Sequence, residues 1–209
     1  MIQGAGLFPA FFLKLKKMIT ITRYSNERTQ EGTICTLAEA KKQVQIETSD
    51  TDDDVLLSML INVAAENVEQ DINSDILETT NEITYVVGDE ENEPVDTVYR
   101  IQLSPLISVS KVEKYAAGVW SEIDADLYKV KSNFSSFQIE FLQSVSAEKL
   151  RFTFKTGYPD TDRPLVIKQA ALLRIADMYT TERQGYNLNN LVETRAYSRL
   201  LAKHARHYW

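Results

Sequence analysis

The chain has 209 residues, of which 44% are hydrophobic and 25% charged, as expected for one folded domain of moderate size. A single cysteine and two histidines exclude a disulfide-stapled scaffold and leave too few ligands for a zinc site built from these residues. The 23 basic and 30 acidic residues give a net charge of −7, which argues against a general nucleic-acid-binding surface.

The charge is distributed unevenly along the chain. Residues 43–99 contain sixteen acidic residues and no lysine or arginine, whereas residues 163–209 contain eight basic and three acidic residues. A chain polarised in this way can attract copies of itself head to tail, or present opposite faces to different partners. The alternative is a solvated acidic face and a basic helix that has no partner.

Residues 1–32 are expected to form an N-terminal arm or extension. Their apolar run Leu7–Leu13 is shorter than the roughly 20 residues that a membrane-spanning helix needs. Three lysines follow the run instead of preceding it, unlike the pattern of a secretory signal peptide. Two interpretations remain: translation begins at Met18, or residues 1–17 are a short partner-binding arm. The intact mass of the native protein distinguishes them.

Two helices are predicted over residues 36–47 and 52–73. Thr36 followed by Glu39 is a capping-box pattern, which satisfies free N–H groups where a helix begins. The second helix has an acidic first turn and one apolar face. The residues of this face recur at helical spacing: Val55, Leu56, Met59, Leu60, Val63, Ala64, Val68 and Ile72.

Over residues 80–157 the period of the apolar residues changes to 2, which indicates β-strands. Seven alternating stretches separated by turn residues predict an antiparallel sheet or small sandwich. They are Ile83–Val87, Tyr99–Leu103, Ile107–Tyr115, Val119–Ile123, Tyr128–Val130, Phe137–Phe141 and Leu150–Phe154. An acidic loop within this region is expected to be exposed and mobile, and it contains Asp89, Glu90, Glu91 and Glu93.

Two further helices are predicted over residues 164–183 and 190–207, with Pro164 at the favoured first position of the former. The order helix–helix, strands, helix–helix indicates a single α+β domain over residues 33–209. We expect its N- and C-terminal helices to pack as a small bundle, with the antiparallel β region as an insert.

The sequence contains no recognisable catalytic or cofactor-binding pattern. It has no phosphate-binding loop, dinucleotide-binding glycine motif or nucleophile elbow. Cys35 has no histidine near it in sequence to act as a base, and we expect it to be packed and inert. His204 and His207 supply only two metal ligands. We therefore expect no catalytic residue, no metal site, no cofactor and no enzymatic activity.

Several segments together resemble one protein family. The opening TLAEAK at Thr36–Lys41, the pair Asp53–Asp54 and the helix rich in Ala, Ile and Glu that follows are similar to the start of phage head–tail connector proteins. These connectors, also called adaptors, belong to long-tailed double-stranded-DNA phages and prophages. Four further elements follow in the order of that family: L-x-P-L at Leu103–Leu106, FTFKTGY at Phe152–Tyr158, a helix started by Pro164, and the ending Tyr197–Trp209, in which Arg206 stands one place from the family's arginine.

The resemblance covers residues 33–209 and implies a structural virion protein that is not an enzyme. It implies a ring, dodecameric on the portal, that completes the head after DNA packaging, extends the DNA channel and offers a docking surface to a stopper or tail-completion protein. Double-stranded DNA would pass through without sequence-specific binding, and no membrane is involved. The implied location is the head–tail junction of a virion assembled in a bacterial host's cytoplasm. The alternatives are a tail-completion or stopper protein, and a non-viral β-rich binding module with helical flanks.

The resemblance also suggests which residues would meet partners. Arginine and aromatic side chains are enriched at interface hot spots, so the portal-docking candidates are those of the C-terminal segment: Arg195, Arg199, Lys203, Arg206, Tyr208 and Trp209. The alternative is that this segment simply covers the first two helices. Acidic residues of the second helix are candidates for contacts between subunits, or for a channel lining that does not grip phosphates: Asp52, Asp53, Asp54, Glu66 and Glu69.

Overall fold

The computed structural model describes residues 22–87, 98–184 and 195–206. Within these ranges the chain forms four α-helices, one 3₁₀ turn and eight β-strands. The helices are α1 (Leu37–Gln43), α2 (Asp54–Ile72), α3 (Leu165–Gln184) and α4 (Arg195–Leu201). The strands are β1 (Thr22–Glu31), β2 (Glu78–Val86), β3 (Val98–Ile101), β4 (Leu106–Ala116), β5 (Val119–Glu122), β6 (Tyr128–Ser132), β7 (Phe137–Phe141) and β8 (Lys149–Thr156).

The strands form two antiparallel sheets that pack face to face. One sheet has the order β1-β2-β8-β4-β5 and the other has the order β3-β7-β6. Inward side chains alternate along β8, where Leu150, Phe152 and Phe154 are buried and the residues between them are not. Phe154 meets Phe137 of the second sheet edge to face, with ring centroids 4.9 Å apart. This sandwich core confirms the predicted antiparallel β insert.

The helices share a second, separate core. Leu57, Ile61 and Val68 of α2 are buried together with Ile167 and Ile175 of α3 in one cluster. Small side chains at the contact let the helices approach closely: Ala64 and Ala65 on α2, and Ala170 and Ala171 on α3. The helices before and after the β region therefore pack together, which confirms the predicted α+β class. In the described ranges, no helix is both long enough and apolar enough to span a bilayer.

Strand β1 occupies residues that the sequence pattern assigned to an N-terminal arm. It pairs with β2 along nearly its whole length, from Thr22 opposite Val86 to Glu31 opposite Glu78. Its sequence, TRYSNERTQE, has no apolar alternation, and the side chains of residues 27–31 are exposed whichever face of the strand they lie on. The periodicity that identifies half-buried strands is therefore missing, and the strand was not predicted.

Helix ends differ from the predicted bounds for local reasons. The capping box at Thr36 and Glu39 is confirmed, but α1 ends at Gln43 because Gln45 adopts a left-handed conformation (φ 62°). The amide of Ile46 then donates to the Lys41 carbonyl over 2.9 Å, which closes a Schellman-type end without glycine.

The second and last predicted helices are also shorter in the structure. Helix α2 begins at Asp54 instead of residue 52, and its N-cap residue Asp53 makes no side-chain capping bond. Helix α4 ends at Leu201 instead of continuing to residue 207. The chain then turns, and the amide of Arg206 donates to the Ile72 carbonyl at the end of α2 over 2.9 Å.

Gly157 lies in the FTFKTGY element at a point where two backbone segments nearly touch. Its φ is +97°, and a Cβ built on it would lie 1.9 Å from the carbonyl oxygen of Leu77. We predict that Gly157→Ala lowers the free energy of unfolding by about 3 kcal/mol or more, because the main chain must move. Gly118→Ala, at φ +80° with no atom within 4 Å, is the control and should lose about 1–2 kcal/mol. Equal losses in urea-unfolding experiments would contradict the steric argument.

Candidate functional site

The carboxylate of Glu69, on α2, is buried where the helices meet the five-stranded sheet. Only 8% of the residue is exposed. Its oxygens accept hydrogen bonds from Arg28 Nη2 (2.7 Å), Gln30 Nε2 (2.9 Å) and the backbone N–H of Ile76 (2.9 Å). One carboxylate therefore joins α2 to β1 and to the segment that leads into β2.

Asp75 extends this set into the sheet. Its carboxylate lies 3.0 Å from Arg28 Nη2 and accepts a hydrogen bond from the Thr156 hydroxyl of β8, which in turn accepts one from Asn81 Nδ2 at 2.7 Å. Burial would lower the pKa of Arg28, but the hydrogen bond with Glu69 and the charges of Asp75 and Glu69 outweigh burial and raise the pKa. We name Arg28, Glu69 and Asp75 the junction cluster.

A cavity of about 490 Å³ opens beside the junction cluster. Three carboxylates line it, from Glu66, Glu69 and Asp75, against one guanidinium, from Arg28. Polar side chains such as Gln70 and Asn73 complete much of the wall. We name this space the junction cavity. Its excess of negative charge suits a positively charged side chain.

The solvent-facing side of α2 carries an apolar stripe that leads toward this cavity. Val55 is 77% exposed, Met59 59% and Val63 41%, and these residues follow each other at intervals of four. Residues spaced in this way lie on one face of a helix, and Glu66 and Gln70 continue the same face. We name Val55, Met59 and Val63 the outer α2 stripe.

Of the acidic residues predicted to face subunits or the channel, some are exposed and others are bonded inside the chain. Asp52 and Glu66 are exposed. Asp53 accepts a hydrogen bond from the Tyr179 hydroxyl (2.6 Å), and Asp54 lies 2.5 Å from the buried Lys41 ammonium. Glu69 is buried within the junction cluster, and its oxygens are bonded inside the chain.

The sequence pattern did not reveal the burial of Glu69, because an acidic residue on an acidic helix looks like part of a solvated face. The useful signal is its position on the helix surface. Ala65 and Ile72, one turn before and one turn after it, are both buried. A carboxylate between two buried neighbours requires hydrogen-bond donors from another element. Those donors lie on β1, which the sequence pattern did not reveal.

The portal-docking candidates also differ in their exposure. Arg199 and Lys203 are exposed, whereas Arg206 is only 3% exposed. The Arg206 guanidinium lies 4.6 Å from the centre of the Phe134 ring and donates from Nη2 to the Tyr158 hydroxyl over 3.4 Å. These contacts hold the Arg206 side chain against the rest of the chain, and its part in portal docking stays a prediction. The Arg195 side chain, Tyr208, Trp209 and the acidic loop residues Asp89, Glu90, Glu91 and Glu93 lie outside the described residues.

Helix α4 does cover the helical core. Tyr197 and Leu201 are buried in that core, and the Tyr197 hydroxyl donates to Asp71 of α2 over 2.6 Å.

Cys35 is buried, and its burial raises the pKa of the thiol to about 11, so the predicted packed thiol is confirmed. Among the described residues, no group of three or more His, Cys, Asp or Glu side chains could hold a metal ion.

The outer face of the five-stranded sheet carries a charged ladder that the sequence did not predict. Glu113 lies 2.7 Å from Arg151 Nε and 2.6 Å from Lys111 Nζ, and Arg151 stacks 4.3 Å from the centre of the Trp120 ring. Burial alone would raise the pKa of Glu113, but the hydrogen bonds from Arg151 and Lys111 outweigh burial and lower the pKa. Cross-strand charge pairs of this kind stabilise a sheet.

Solved structures of gene transfer agent (GTA) particles contain chains with this fold. A chain in the neck of an empty GTA particle, computed with C6 symmetry, matches with a TM-score of 0.67 at 14% sequence identity, over 88% of this chain and 97% of that chain. A chain in the virion of the native particle matches with a TM-score of 0.64 at 13% identity, over 87% and 96%. A chain in the neck of the native particle, computed with C12 symmetry, gives 0.64 at 13%, over 88% and 97%. No family model matches this chain, and neither does any curated protein.

We predict that Glu69→Gln lowers the free energy of unfolding by about 2–3 kcal/mol. The substitution leaves the Arg28 guanidinium without its closest carboxylate, and the loss lies below the full value for a buried pair because Arg28 is partly exposed. Glu66→Gln, one turn earlier and exposed, should change stability by less than about 0.5 kcal/mol. Urea unfolding at neutral pH compares the two, and similar values would refute a structural role for the cluster.

The lowered pKa of Glu113 makes part of the stability depend on pH. A folded-state pKa below the ordinary value of 4.5 stabilises the fold above that value, and the stabilisation is lost as the pH falls through the folded-state pKa. We predict that Glu113→Gln loses about 1–2 kcal/mol at pH 7 and that the difference from wild type shrinks by pH 3. Glu47→Gln, an exposed position outside the sheet, is the control. A difference that is unchanged at pH 3 would exclude a contribution from ionisation.

Proposed function

We propose that this protein is a structural component of the neck of a phage or phage-like particle, where it forms a connector ring beneath the portal. The observation that carries this proposal is the likeness of fold to GTA neck chains, which extends over 97% of two of those chains and 88% of this one. The ordered motifs that resemble phage adaptors support the same role independently. In this role the protein acts as a scaffold and not as an enzyme.

Ring formation follows from contacts between two different surfaces of each copy, which close when the rotation per copy divides a full turn. We propose twelve copies on the portal, and the C12 symmetry of one GTA neck supports that number. The exposed acidic residues Asp52 and Glu66 are proposed to face a neighbouring copy or the channel. Double-stranded DNA would pass such a lining without sequence-specific binding, because its phosphates meet no strong counter-charge there.

The portal-facing surface is proposed to include Arg199 and Lys203 of the C-terminal segment. Both are exposed, and they lie in residues 163–209, the part of the sequence that carries the excess of basic residues. The opposite side of the ring would receive a stopper or tail-completion protein. Assembly in a bacterial cytoplasm and residence at the head–tail junction are parts of the same proposal.

Complementation of a null mutant tests the role. We predict that particles without this protein accumulate as DNA-filled heads and separate tails in electron micrographs, and that the wild-type gene restores tailed particles. The double variant Arg199→Glu, Lys203→Glu should restore at least about tenfold fewer, because like charge against a complementary surface costs several kcal/mol. The matched control, Lys42→Glu with Lys129→Glu, reverses two exposed lysines elsewhere and should restore them fully.

Each outcome separates the rival roles. Complete tailed particles in the null mutant would overturn the proposal. Tails of abnormal length attached to normal heads would indicate a tail protein instead. Equal rescue by the double variant and its control would leave a neck role but exclude docking through Arg199 and Lys203.

A further inference from the structure

Within the described ranges, the Arg206 guanidinium is buried without a carboxylate partner. Only 3% of the residue is exposed, and its Nε and Nη1 atoms have no hydrogen-bond partner. The third nitrogen, Nη2, donates to the Tyr158 hydroxyl over 3.4 Å, which is long for a hydrogen bond. By contrast, Arg28, Arg151 and Arg163 each lie 2.6–2.7 Å from a carboxylate oxygen. A buried cation without a counter-ion is costly, so its presence needs an explanation.

The guanidinium is held in place from both halves of the fold. The backbone N–H of Arg206 donates to the carbonyl of Ile72 at the end of α2. Phe134 comes from the tight turn between β6 and β7, which the Asn133 side chain fixes by accepting two backbone N–H bonds of 2.8 and 3.0 Å. The Phe134 ring is 58% exposed, and its centre lies 4.6 Å from the guanidinium carbon. Exposed side chains change rotamer within nanoseconds, so this ring can uncover the charge without movement of a strand.

The unpaired donors of Arg206 suit an oxyanion, because a guanidinium binds a carboxylate or a phosphate through two nitrogens at once. The surroundings favour a carboxylate that a protein supplies. Contacts with the phosphates of a nucleic acid come from exposed basic surfaces, whereas this cation is buried beside an aromatic ring. Arginine and aromatic residues together are typical of an interface hot spot. The partner surface must then present an acidic side chain next to apolar side chains.

The outer face of α2 has this combination. Glu66 is exposed, unlike Glu69, whose oxygens are bonded inside the chain. Val63 of the outer α2 stripe, 41% exposed, precedes Glu66 by three residues, which is about 4.5 Å along the helix axis. This spacing of apolar and charged groups is similar to the 4.6 Å between Phe134 and the Arg206 guanidinium. A second copy of the chain therefore offers a carboxylate to Arg206 and an apolar surface to Phe134.

We propose that the Arg206 guanidinium of one copy binds the Glu66 carboxylate of the next copy, while Phe134 packs against that copy's outer α2 stripe. Each copy contributes Glu66 to one neighbour and Arg206 to the other, so the contact is head to tail and can close into a ring. The inference rests on the proposed connector ring, for which it names a contact between subunits. The Arg206 charge then lacks a counter-ion only in the free chain, because assembly supplies one.

Urea unfolding of the dilute full-length protein tests whether the Arg206 charge is uncompensated in the free chain. Arg206→Met removes the charge and should raise the midpoint or leave it unchanged. Arg163→Met is the matched control, since the Arg163 side chain is 8% exposed but bonds to Asp160, Ile76 and Thr33. The control should lower the midpoint by about 1 M. A fall for Arg206→Met of half the control's fall or more would overturn the proposal.

Complementation of the null mutant tests the contact between copies. Arg206→Met and Glu66→Gln should each restore at least about tenfold fewer tailed particles than wild type, equivalent to about 1.4 kcal/mol. Because the two residues are proposed to bind each other, the double variant should restore no fewer than the weaker single variant. Glu47→Gln removes an exposed carboxylate elsewhere and should restore particles fully.

The same assay distinguishes failure of the contact from failure of the neck role. Full rescue by either single variant, or losses that multiply in the double variant, would overturn the pairing of Arg206 with Glu66 and leave the neck role standing. Complete tailed particles in the null mutant would instead overturn the neck role, and with it the ring on which this contact rests.

Discussion

The buried carboxylate of Glu69 is the interaction on which the arrangement of the two halves depends. The helical core and the sandwich core are separate apolar clusters, and apolar packing has no preferred direction. Hydrogen bonds do have a preferred direction, and Glu69 accepts them from Arg28, Gln30 and the backbone of Ile76. The orientation of α2 against the sheet is therefore set by a polar joint between two apolar bodies.

The same joint explains why a polar sequence forms the edge strand β1. Residues 27–31, the part of β1 whose side chains are described, include no apolar residue. This part depends on its backbone pairing with β2 and on the two side chains that reach Glu69. Edge strands are otherwise prone to exchange or to pair with other chains. Because Arg28 contacts Asp75 as well as Glu69, strand β1 is bonded both to α2 and to the segment between α2 and β2.

The predictable parts of this fold are those in which the spacing of apolar residues along the sequence reflects which side chains are buried. The alternation of Leu150, Phe152 and Phe154 identified β8, and Thr36 with Glu39 identified the start of α1, because each pattern has a local cause. β1 and the end of α1 could not be predicted in this way. β1 is fixed by contacts distant in sequence, and α1 is ended by a left-handed Gln45 where glycine is usual. The junction cluster was missed for the first of these reasons, since its donors and acceptors come from separate elements.

Internal pairing also changes what the charge of this chain means. The acidic half of the sequence suggests a strongly negative helix face, yet Asp53, Asp54 and Glu69 each bond to a partner inside the molecule. The field that a neighbour or a DNA backbone would meet near α2 therefore depends on the carboxylates that remain exposed, which are Asp50, Asp52, Glu66 and Asp71. Exposed charges are screened within about 10 Å at moderate salt, so such a face repels phosphate weakly and only at short range. Weak, short-range repulsion fits the proposed role, in which DNA would pass this surface without being held or expelled.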